Sequence, residues 1–141
     1  MAVSRADSVS QLAKKVETYS DFVNNFTKHP ITNELVIVKN DDSVRQAFKN
    51  LILTNIGERP FSPFFGSKVN ETLFENFSAF TREDIIRYIQ MSARMFERRI
   101  QLLNVSVTED QNRNGLKINI VFSIINNTEP TSLSIFLKRV R

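Results

Sequence analysis

Four glutamates are the residues whose type suggests chemistry first: Glu58, Glu71, Glu75 and Glu97. Two facing carboxylates can hydrolyse a glycosidic bond, but they must lie roughly 5 to 9.5 Å apart across a cleft. No motif in the sequence sets two of these glutamates at such a distance. Glu71 and Glu75 are four residues apart on one predicted helix, which is typical of a solvated face. The sequence therefore predicts no catalytic residue.

The remaining reactive side chains also predict no metal site and no cofactor. The chain has one histidine and no cysteine, which excludes a disulfide, a thiol nucleophile and a Cys/His zinc site. His29, in the segment KHPIT, is expected in a loop. Neither GxxxxGK[ST] nor GxGxxG occurs, and three glycines in all cannot build a phosphate-binding loop of either kind.

The net charge of +4 comes entirely from the last part of the chain. Residues 81–141 carry ten Lys/Arg and six Asp/Glu, whereas residues 1–80 carry nine of each. Such a bias suits nucleic acid, an acidic protein partner or simply a solvated basic edge. A cluster of six phenylalanines at positions 61–80 precedes the basic segment, and the aromatic residues do not interleave with its arginines, so nucleic acid is not expected as a partner.

The 141 residues and 41% hydrophobic content predict one globular domain. Residues 1–27 are expected to form an N-terminal arm with a helix, and residues 28–141 the domain itself. The first fifteen residues lack the apolar stretch of a signal peptide. The longest apolar runs are only a few residues, so no membrane-spanning segment is expected.

Two longer helices are predicted from apolar residues that recur at spacings of three and four. The first begins at Ser43, which forms a capping-box pattern with Gln46, and ends near residue 54. The second begins at Thr81 in the segment TRED and runs to about residue 99. Shorter helices are predicted near residues 8–17 and 70–77.

The last third changes to the alternation of β-strands. Residues 116–125 alternate between apolar and mostly polar side chains, and two similar segments lie at 102–109 and 132–140. Turn-forming residues separate the three segments. A short strand is also predicted at 34–39. With helices first and strands last, the predicted class is α+β, with helices packed on a three-stranded antiparallel meander that has an open edge.

The segment GERPFSPFFG, residues 57–66, holds three phenylalanines in a stretch that can be neither helix nor central strand. Its two prolines fix φ and its two glycines permit turns, so a stiff loop is expected. Large aromatic side chains are usually buried. Most of the three phenylalanines are therefore expected to close one end of the core, and the alternative is a docking surface.

Residues 51–77, LILTNIGERPFSPFFGSKVNETLFENF, resemble the signature of the baseplate wedge proteins of contractile-tailed bacteriophages. That family includes a type VI secretion baseplate component once labelled lysozyme-like. The resemblance extends over about residues 43–141, with a weaker match at residues 19–21. The matching signature residues are Thr54, Gly57, Arg59, Pro60, Phe61, Pro63, Phe65, Gly66, Leu73, Phe74 and Glu75.

The resemblance implies a sheath initiator, a structural protein of the virion's tail baseplate whose C-terminal strands pair with the first ring of sheath subunits. An open sheet edge has unpaired N–H and C=O groups to which another chain can add. The expected pairing segments are 116–125 and 131–140. The side chains expected to set the pairing are Lys117, Asn119, Val121, Ser123, Leu133, Ile135, Leu137 and Arg139. Arg139 and Arg141 are expected to steer an acidic sheath arm.

The implied partners are the tail sheath protein and the baseplate wedge core-bundle proteins, with tube-initiator or hub proteins as further candidates. About six copies would assemble into one baseplate in the host cytoplasm. No cofactor, nucleic acid or membrane is expected. Two alternatives remain open: a muramidase-like tail enzyme, which needs a cleft with facing carboxylates, and a basic nucleic-acid-binding module, whose binding would fall steeply with salt.

The family usually carries Glu-Pro-Arg at the end of its long helix, a motif implied to dock into the wedge's helical core bundle. Here the motif is Glu97-Arg98-Arg99. Because arginine replaces the helix-stopping proline, the helix is expected to continue. On a continued helix Arg99 lies beside the apolar face and Glu97 on the other flank. Arg99 is therefore the expected buried member, either docking or paired within the fold with Glu58 or Glu75.

Overall fold

The computed structural model describes residues 19–125 and 127–139 and confirms the α+β class. In chain order the elements are β1 (Ser20–Phe22), β2 (Ile37–Lys39), α1 (Asp41–Leu53), a short 3-10 helix (Glu71–Phe74), α2 (Ala79–Phe96), β3 (Ile100–Asp110), β4 (Gly115–Ile124) and β5 (Asn127–Lys138). The helix predicted at 8–17 lies outside the described residues. Neither α1 nor α2 is long and apolar enough to cross a membrane.

The main sheet is an antiparallel meander in the order β3-β4-β5, as the alternation predicts. From Gly115↔Lys138 to Ser123↔Pro130 the register between β4 and β5 is unbroken, whereas the β3–β4 pairing shifts between Leu102 and Asn104. β4 is the central strand, and its backbone is paired on both sides. The expectation that residues 116–125 add to another chain is therefore wrong, because only β3 and β5 have open edges.

The core lies between one face of this sheet and the two helices. The rings of Phe48 on α1 and Phe122 on β4 meet edge to face, with centroids 5.4 Å apart and planes at 74°, a favoured aromatic arrangement. The buried apolar residues come from every layer: Val44, Phe48, Leu51, Ile52, Val69, Ile85, Ile89, Ala93, Val107, Leu116, Ile118, Ile120, Phe122, Ile124, Leu133, Ile135 and Leu137.

Both longer helices begin before the predicted residues. Asn40 adopts a left-handed φ of 52° and turns the chain into α1 at Asp41, so Ser43 lies inside the first turn and is buried rather than acting as a cap. The α2 cap is Ser78, whose Oγ accepts a hydrogen bond from the Thr81 backbone N–H at 3.2 Å. Both predicted starts were therefore too late in the chain: at α2 the earlier Ser78 acts as the cap, and at α1 the chain turns at Asn40 without a side-chain cap hydrogen bond.

Residues 19–39 form a two-stranded hairpin beside α1. β1 and β2 pair antiparallel, with Phe22 opposite Ile37. Gln46 donates a hydrogen bond of 2.6 Å to the Phe22 carbonyl, which holds the hairpin to α1. The domain boundary predicted between residues 27 and 28 falls inside this hairpin. The β1 segment was not predicted, because a three-residue strand gives too little alternation to detect.

Candidate docking turn and open sheet edge

The segment 57–66 forms a closed, stiff loop, as its prolines and glycines predict. The Gly57 N–H donates to the Pro63 carbonyl at 2.7 Å, and the Ser67 N–H donates to the Thr54 carbonyl at 2.9 Å. Gly57 and Gly66 have φ values of 87° and 130°, which a residue with a Cβ rarely adopts. These contacts fix the direction in which the loop's side chains point.

The three phenylalanines of this loop have different environments. Phe61 is 100% exposed and Phe64 is 79% exposed, so the expectation that most of the three close the core is wrong. Only Phe65 packs inward: its ring lies 5.3 Å from the ring of Phe96, and the Arg59 guanidinium lies 4.1 Å above it. The stiff loop projects from the domain, and only its last aromatic residue turns back onto α2.

Glu97 and Arg99 form a tight turn directly after α2. The helix ends at Phe96, and Glu97 is its C-terminal cap, so the expected continuation through Arg98 is wrong even without a proline. Arg99 donates from Nε to Glu97 Oε1 and from Nη2 to Oε2, both at 2.6 Å. Glu97 is the buried member, at 7% exposure. The two residues therefore lie in a turn and not on a helix, contrary to the prediction. Arg99 pairs with Glu97 and not with the expected partners Glu58 or Glu75.

The bidentate pair also shifts the pKa of Arg99. The hydrogen bonds that Arg99 donates to Glu97 raise this pKa, against the opposing effect of partial burial, and the negative charge of Glu97 adds to the rise. The guanidinium also lies 5.2 Å from the Tyr19 ring, a distance at which a cation is attracted to an aromatic face. The turn is therefore a fixed, charge-satisfied feature rather than a pair of free charges.

The loop of residues 57–66, called the signature loop below, and the turn of residues 97–99 line one open cleft of about 290 Å³. Arg59 and Phe65 come from the loop, and Glu97 and Arg99 come from the turn. Asp21, from β1, lines the same cleft. The sequence identified the loop and the turn separately but not their meeting. The signal that could have placed the hairpin here is the weak resemblance at residues 19–21.

The side chains expected to set strand pairing lie on both faces of the main sheet. On β5, Leu133, Ile135 and Leu137 are buried in the core, so they cannot meet a partner. On β4, Lys117 is exposed, while Asn119, Val121 and Ser123 are half-buried on the face away from the core. From Thr131 onward, the exposed β5 residues, which the sequence analysis did not select, are Ser132, Ser134, Phe136 and Lys138.

The backbone of β5 has a free edge at the same four residues. The Arg139 N–H donates to the Asn114 carbonyl at 2.8 Å, which makes these two residues a hydrogen-bonded pair. In an antiparallel ladder such pairs alternate along the strand. Residues 131, 133, 135 and 137 therefore bond to β4, and the N–H and C=O groups of residues 132, 134, 136 and 138 point to the open edge.

Arg139 holds the end of β5 in place. Its side chain is only 10% exposed, and Nη1 lies 3.1 Å from Glu109 Oε1 on β3. Nη2 donates to the Glu75 carbonyl at 3.2 Å. The expectation that Arg139 steers an acidic arm is therefore wrong for this side chain, since it is largely covered and its charge is already paired with Glu109. Arg141 lies outside the described residues.

Two of the residues considered for catalysis or metal binding, His29 and Glu58, make hydrogen bonds with the backbone near them. The His29 Nδ1 faces the backbone N–H groups of Ile31 and Thr32 at 3.4 and 3.3 Å, in the predicted loop. Glu58 accepts a hydrogen bond from the Asn55 N–H at 2.8 Å. Within residues 19–125 and 127–139, no three His, Cys, Asp or Glu side chains are grouped closely enough to hold a metal ion.

The described residues thus form an α+β domain with a projecting loop and an open sheet edge, both of which could contact another chain. The comparisons with known proteins identify its family. The chain belongs to the family "Baseplate wedge protein gp25", whose sequence model matches residues 38–129. It is accordingly a structural component of the baseplate wedge in a phage tail, and the resemblance found in the sequence is confirmed.

Three relatives illustrate the similarity. The chain is 34% identical over 87 residues to the baseplate wedge protein gp25 of Enterobacteria phage T4, a match that covers 62% of this chain and 66% of that protein, just under two thirds. A putative tail lysozyme from Geobacter sulfurreducens has the same fold, with a TM-score of 0.67, 20% identity and coverage of 72% of this chain and 92% of that one. A chain of the sixfold-symmetrised baseplate of the anti-feeding prophage aligns with a TM-score of 0.61, 17% identity and 87% coverage of both chains.

Proposed function

We propose that this protein initiates the tail sheath by offering the open edge of β5 to a strand of a sheath subunit. The observation that carries the proposal is the regular edge of β5. Its pairing with β4 is unbroken from Pro130 to Lys138, and four of these residues direct their backbone hydrogen-bonding groups outward. An incoming strand would find donors and acceptors already aligned, with little ordering cost.

The other edge of the sheet is less suitable. β3 carries a bulge around Leu103, where its register with β4 shifts, and a bulge bends an edge away from further pairing. The end of β5, by contrast, is held by the ion pair between Arg139, whose side chain is 10% exposed, and Glu109 on β3. We therefore expect a partner strand to add to β5 while β5 stays in place, rather than to displace it.

We further propose that the cleft between the signature loop and the 97–99 turn docks on the wedge core-bundle proteins. Glu97 and Arg99 satisfy each other, so their role is to hold the turn rather than to supply free charges. Arg98 is exposed between them. Phe61 and Phe64 project from the neighbouring loop and would supply the apolar contact, since exposed aromatic side chains commonly anchor protein interfaces.

The tail sheath protein and the core-bundle proteins are thus the proposed partners, and tube-initiator or hub proteins are further candidates. A sixfold baseplate, such as the symmetrised one of the anti-feeding prophage, would hold six copies. We do not propose an enzyme. Glu97 forms an ion pair with Arg99, and Glu58 accepts a hydrogen bond from the Asn55 backbone N–H. Two of the four candidate carboxylates therefore have structural contacts.

The test is capture of the cognate tail sheath protein in co-expression pull-downs. Deleting β5 is not informative, because Leu133, Ile135 and Leu137 are core residues and the domain would unfold. Ser134→Pro instead removes one outward N–H and adds a ring at the edge, while the hydrogen bonds to β4 remain. Ser134→Ala is the matched control: it also loses the 2.7 Å hydrogen bond from Ser134 Oγ to Asn119 but keeps the N–H.

We expect Ser134→Ala to capture sheath like the unchanged protein, and Ser134→Pro to capture at least about tenfold less, equivalent to ~1.4 kcal/mol. Circular dichroism and melting temperatures of both variants show whether they remain folded. Equal capture by the two folded variants would rule out pairing at the β5 edge. Failure of the unchanged protein to capture sheath would overturn the proposed function as a whole.

A further inference from the structure

Phe136 is the exception among the outward side chains of β5. Ser132 and Ser134 are small and polar, whereas Phe136 is a large apolar residue that remains 42% exposed. Part of its ring covers Gly115 on β4, since a Cβ built at Gly115 would lie 2.6 Å from Phe136 Cζ. Covering a strand glycine with an aromatic ring is a known stabilising arrangement, but it leaves nearly half of this side chain in contact with solvent.

An open depression of about 460 Å³ lies beside the Phe136 ring. Its lining includes Asp110, Arg113, Lys117 and Ser134 in addition to Phe136. The depression therefore lies on the face of the sheet opposite the core, next to the strand edge proposed to pair with sheath. A strand added to β5 would place alternate side chains on this same face, about 5 Å from those of β5.

The charge around the depression is positive. Lys117 lies directly opposite Phe136 in the β4–β5 register, and the Arg113 guanidinium lies 6.0 Å from the ring centroid. Arg113 is 4.0 Å from Asp110, so that pair is neutralised. Lys117 and Lys138 form no ion pair with any described residue. Two free ammonium groups therefore flank one exposed aromatic ring.

We propose that Phe136, Lys117 and Lys138 select the side chains of the incoming strand. The occupant is an extended segment of the sheath protein with an aromatic or aliphatic residue that packs on Phe136. The same segment carries a carboxylate within reach of the two lysines. This inference rests on the proposed function and adds to it: main-chain hydrogen bonds attach the strand, and the Phe136 depression sets its register and selects its sequence.

The experiment measures binding of the purified full chain to the cognate sheath protein over a range of salt concentrations. Phe136→Thr removes the ring and keeps a residue that favours strands. Lys117→Gln with Lys138→Gln removes both free charges and preserves side-chain length. Lys49→Gln with Lys68→Gln is the matched control, since both of these lysines are exposed and neither lines the depression.

We expect Phe136→Thr to weaken sheath binding about tenfold or more, as loss of an interface anchor does. The Lys117/Lys138 variant should bind severalfold less tightly at low salt and show a flatter salt dependence, because the screened attraction is gone. The Lys49/Lys68 variant should behave like the unchanged protein. If Phe136→Thr destabilises the fold by uncovering Gly115, the comparison of the Lys117/Lys138 variant with the Lys49/Lys68 control tests the proposed selectivity by itself.

Two results would overturn the inference, and they are distinguishable. In the first result, the unchanged protein binds sheath, Ser134→Pro does not, and the Phe136 and lysine variants bind normally with unaltered salt dependence. Strand pairing at β5 is then supported, and the depression does not select the incoming strand. If neither the unchanged protein nor Ser134→Ala binds sheath, the proposed function fails, and the inference that rests on it fails too.

Discussion

The Arg99 guanidinium donates two hydrogen bonds of 2.6 Å to the carboxylate of Glu97, two residues earlier in the chain. The pair closes the turn that ends α2 and starts β3, and the Ile100 N–H returns to the Glu97 carbonyl at 3.5 Å. Glu97 is buried and Arg99 is about one-third exposed. The turn is thus held by an ion pair in which the Glu97 carboxylate is buried. Arg98, between the two paired residues, is exposed to solvent.

Replacing Arg99 should therefore destabilise the fold more than replacing its neighbour. Arg99→Ala leaves the buried Glu97 carboxylate without its partner and is expected to lower the free energy of unfolding by about 2–3 kcal/mol. Arg98→Ala, at an exposed position, should change it by no more than about 0.5 kcal/mol. Urea unfolding of both variants measures the difference, and equal stabilities would contradict the structural role of the pair.

The raised pKa of Arg99 fixes how this contribution depends on pH. A cation whose pKa is higher in the folded state stabilises fully below its unfolded pKa, and the contribution is lost only as pH rises through the folded value. For arginine that window lies above the range in which proteins are handled. The stability gap between the unchanged protein and Arg99→Ala should therefore stay constant from neutral pH to about pH 10.

The two signature-loop glycines should respond differently to alanine. Both have positive φ, but a Cβ at Gly66 would lie 2.5 Å from the Thr54 carbonyl oxygen, whereas a Cβ at Gly57 meets nothing within 4 Å. Gly57→Ala is expected to cost about 1–2 kcal/mol for backbone strain alone. Gly66→Ala should cost clearly more, because backbone must move. Thermal unfolding compares them, and a smaller loss at Gly66 would contradict the crowding.

Of the three phenylalanines in the signature loop, only Phe65 should contribute to the stability of the fold. Phe65→Ala removes the contact with Phe96 and the stacked Arg59 and should cost about 2–3 kcal/mol, since the ring is only partly buried. Phe61→Ala and Phe64→Ala should leave stability within about 0.5 kcal/mol. If chemical denaturation shows all three variants equally destabilised, the projecting orientation of Phe61 and Phe64 is wrong.

Arg139 should matter for the stability of the sheet. Arg139→Gln removes the ion pair with Glu109 and the hydrogen bond to the Glu75 carbonyl, and we expect a loss of about 2 kcal/mol because the Arg139 side chain is only 10% exposed. Lys138→Gln, on the adjacent exposed residue, is the control and should be neutral. A neutral Arg139→Gln would show that the end of β5 is held by backbone pairing alone.

The parts of the fold that were predictable from sequence are those where a pattern repeats. The alternation around Ile118, Ile120 and Phe122 recurs over ten residues and defined a strand with a buried face. The predicted meander also placed this segment between the other two strands, which leaves its backbone no open edge, so the expectation that it pairs with another chain did not agree with the predicted topology. The end of α2 at Phe96 was missed because neither glycine nor proline follows it. The helix ends where Glu97 leaves helical backbone angles and pairs with Arg99, and no spacing rule predicts this turn.

The same limit explains the candidate sites. Proline and glycine content predicted a stiff loop at 57–66, but the direction in which Phe61 and Phe64 point depends on how that loop packs on α2. The cleft joins Asp21, Arg59 and Arg99 from three separate segments, so it exists only in the folded chain. Likewise, the β5 residues whose backbone groups point to the open edge could be assigned only once the hydrogen bond from the Arg139 N–H to the Asn114 carbonyl fixed the hydrogen-bonding pattern of the strand.

Residue-resolved hydrogen exchange of the β5 amides, free and bound to sheath, tests the central claim most directly. In the free protein the amides of Leu133, Ile135 and Leu137 should exchange slowly, and those of Ser132, Ser134, Phe136 and Lys138 quickly. In the sheath complex the four fast amides should become protected. If the complex forms and these four amides still exchange quickly, or if the new protection appears along β3, pairing of sheath with the β5 edge is contradicted.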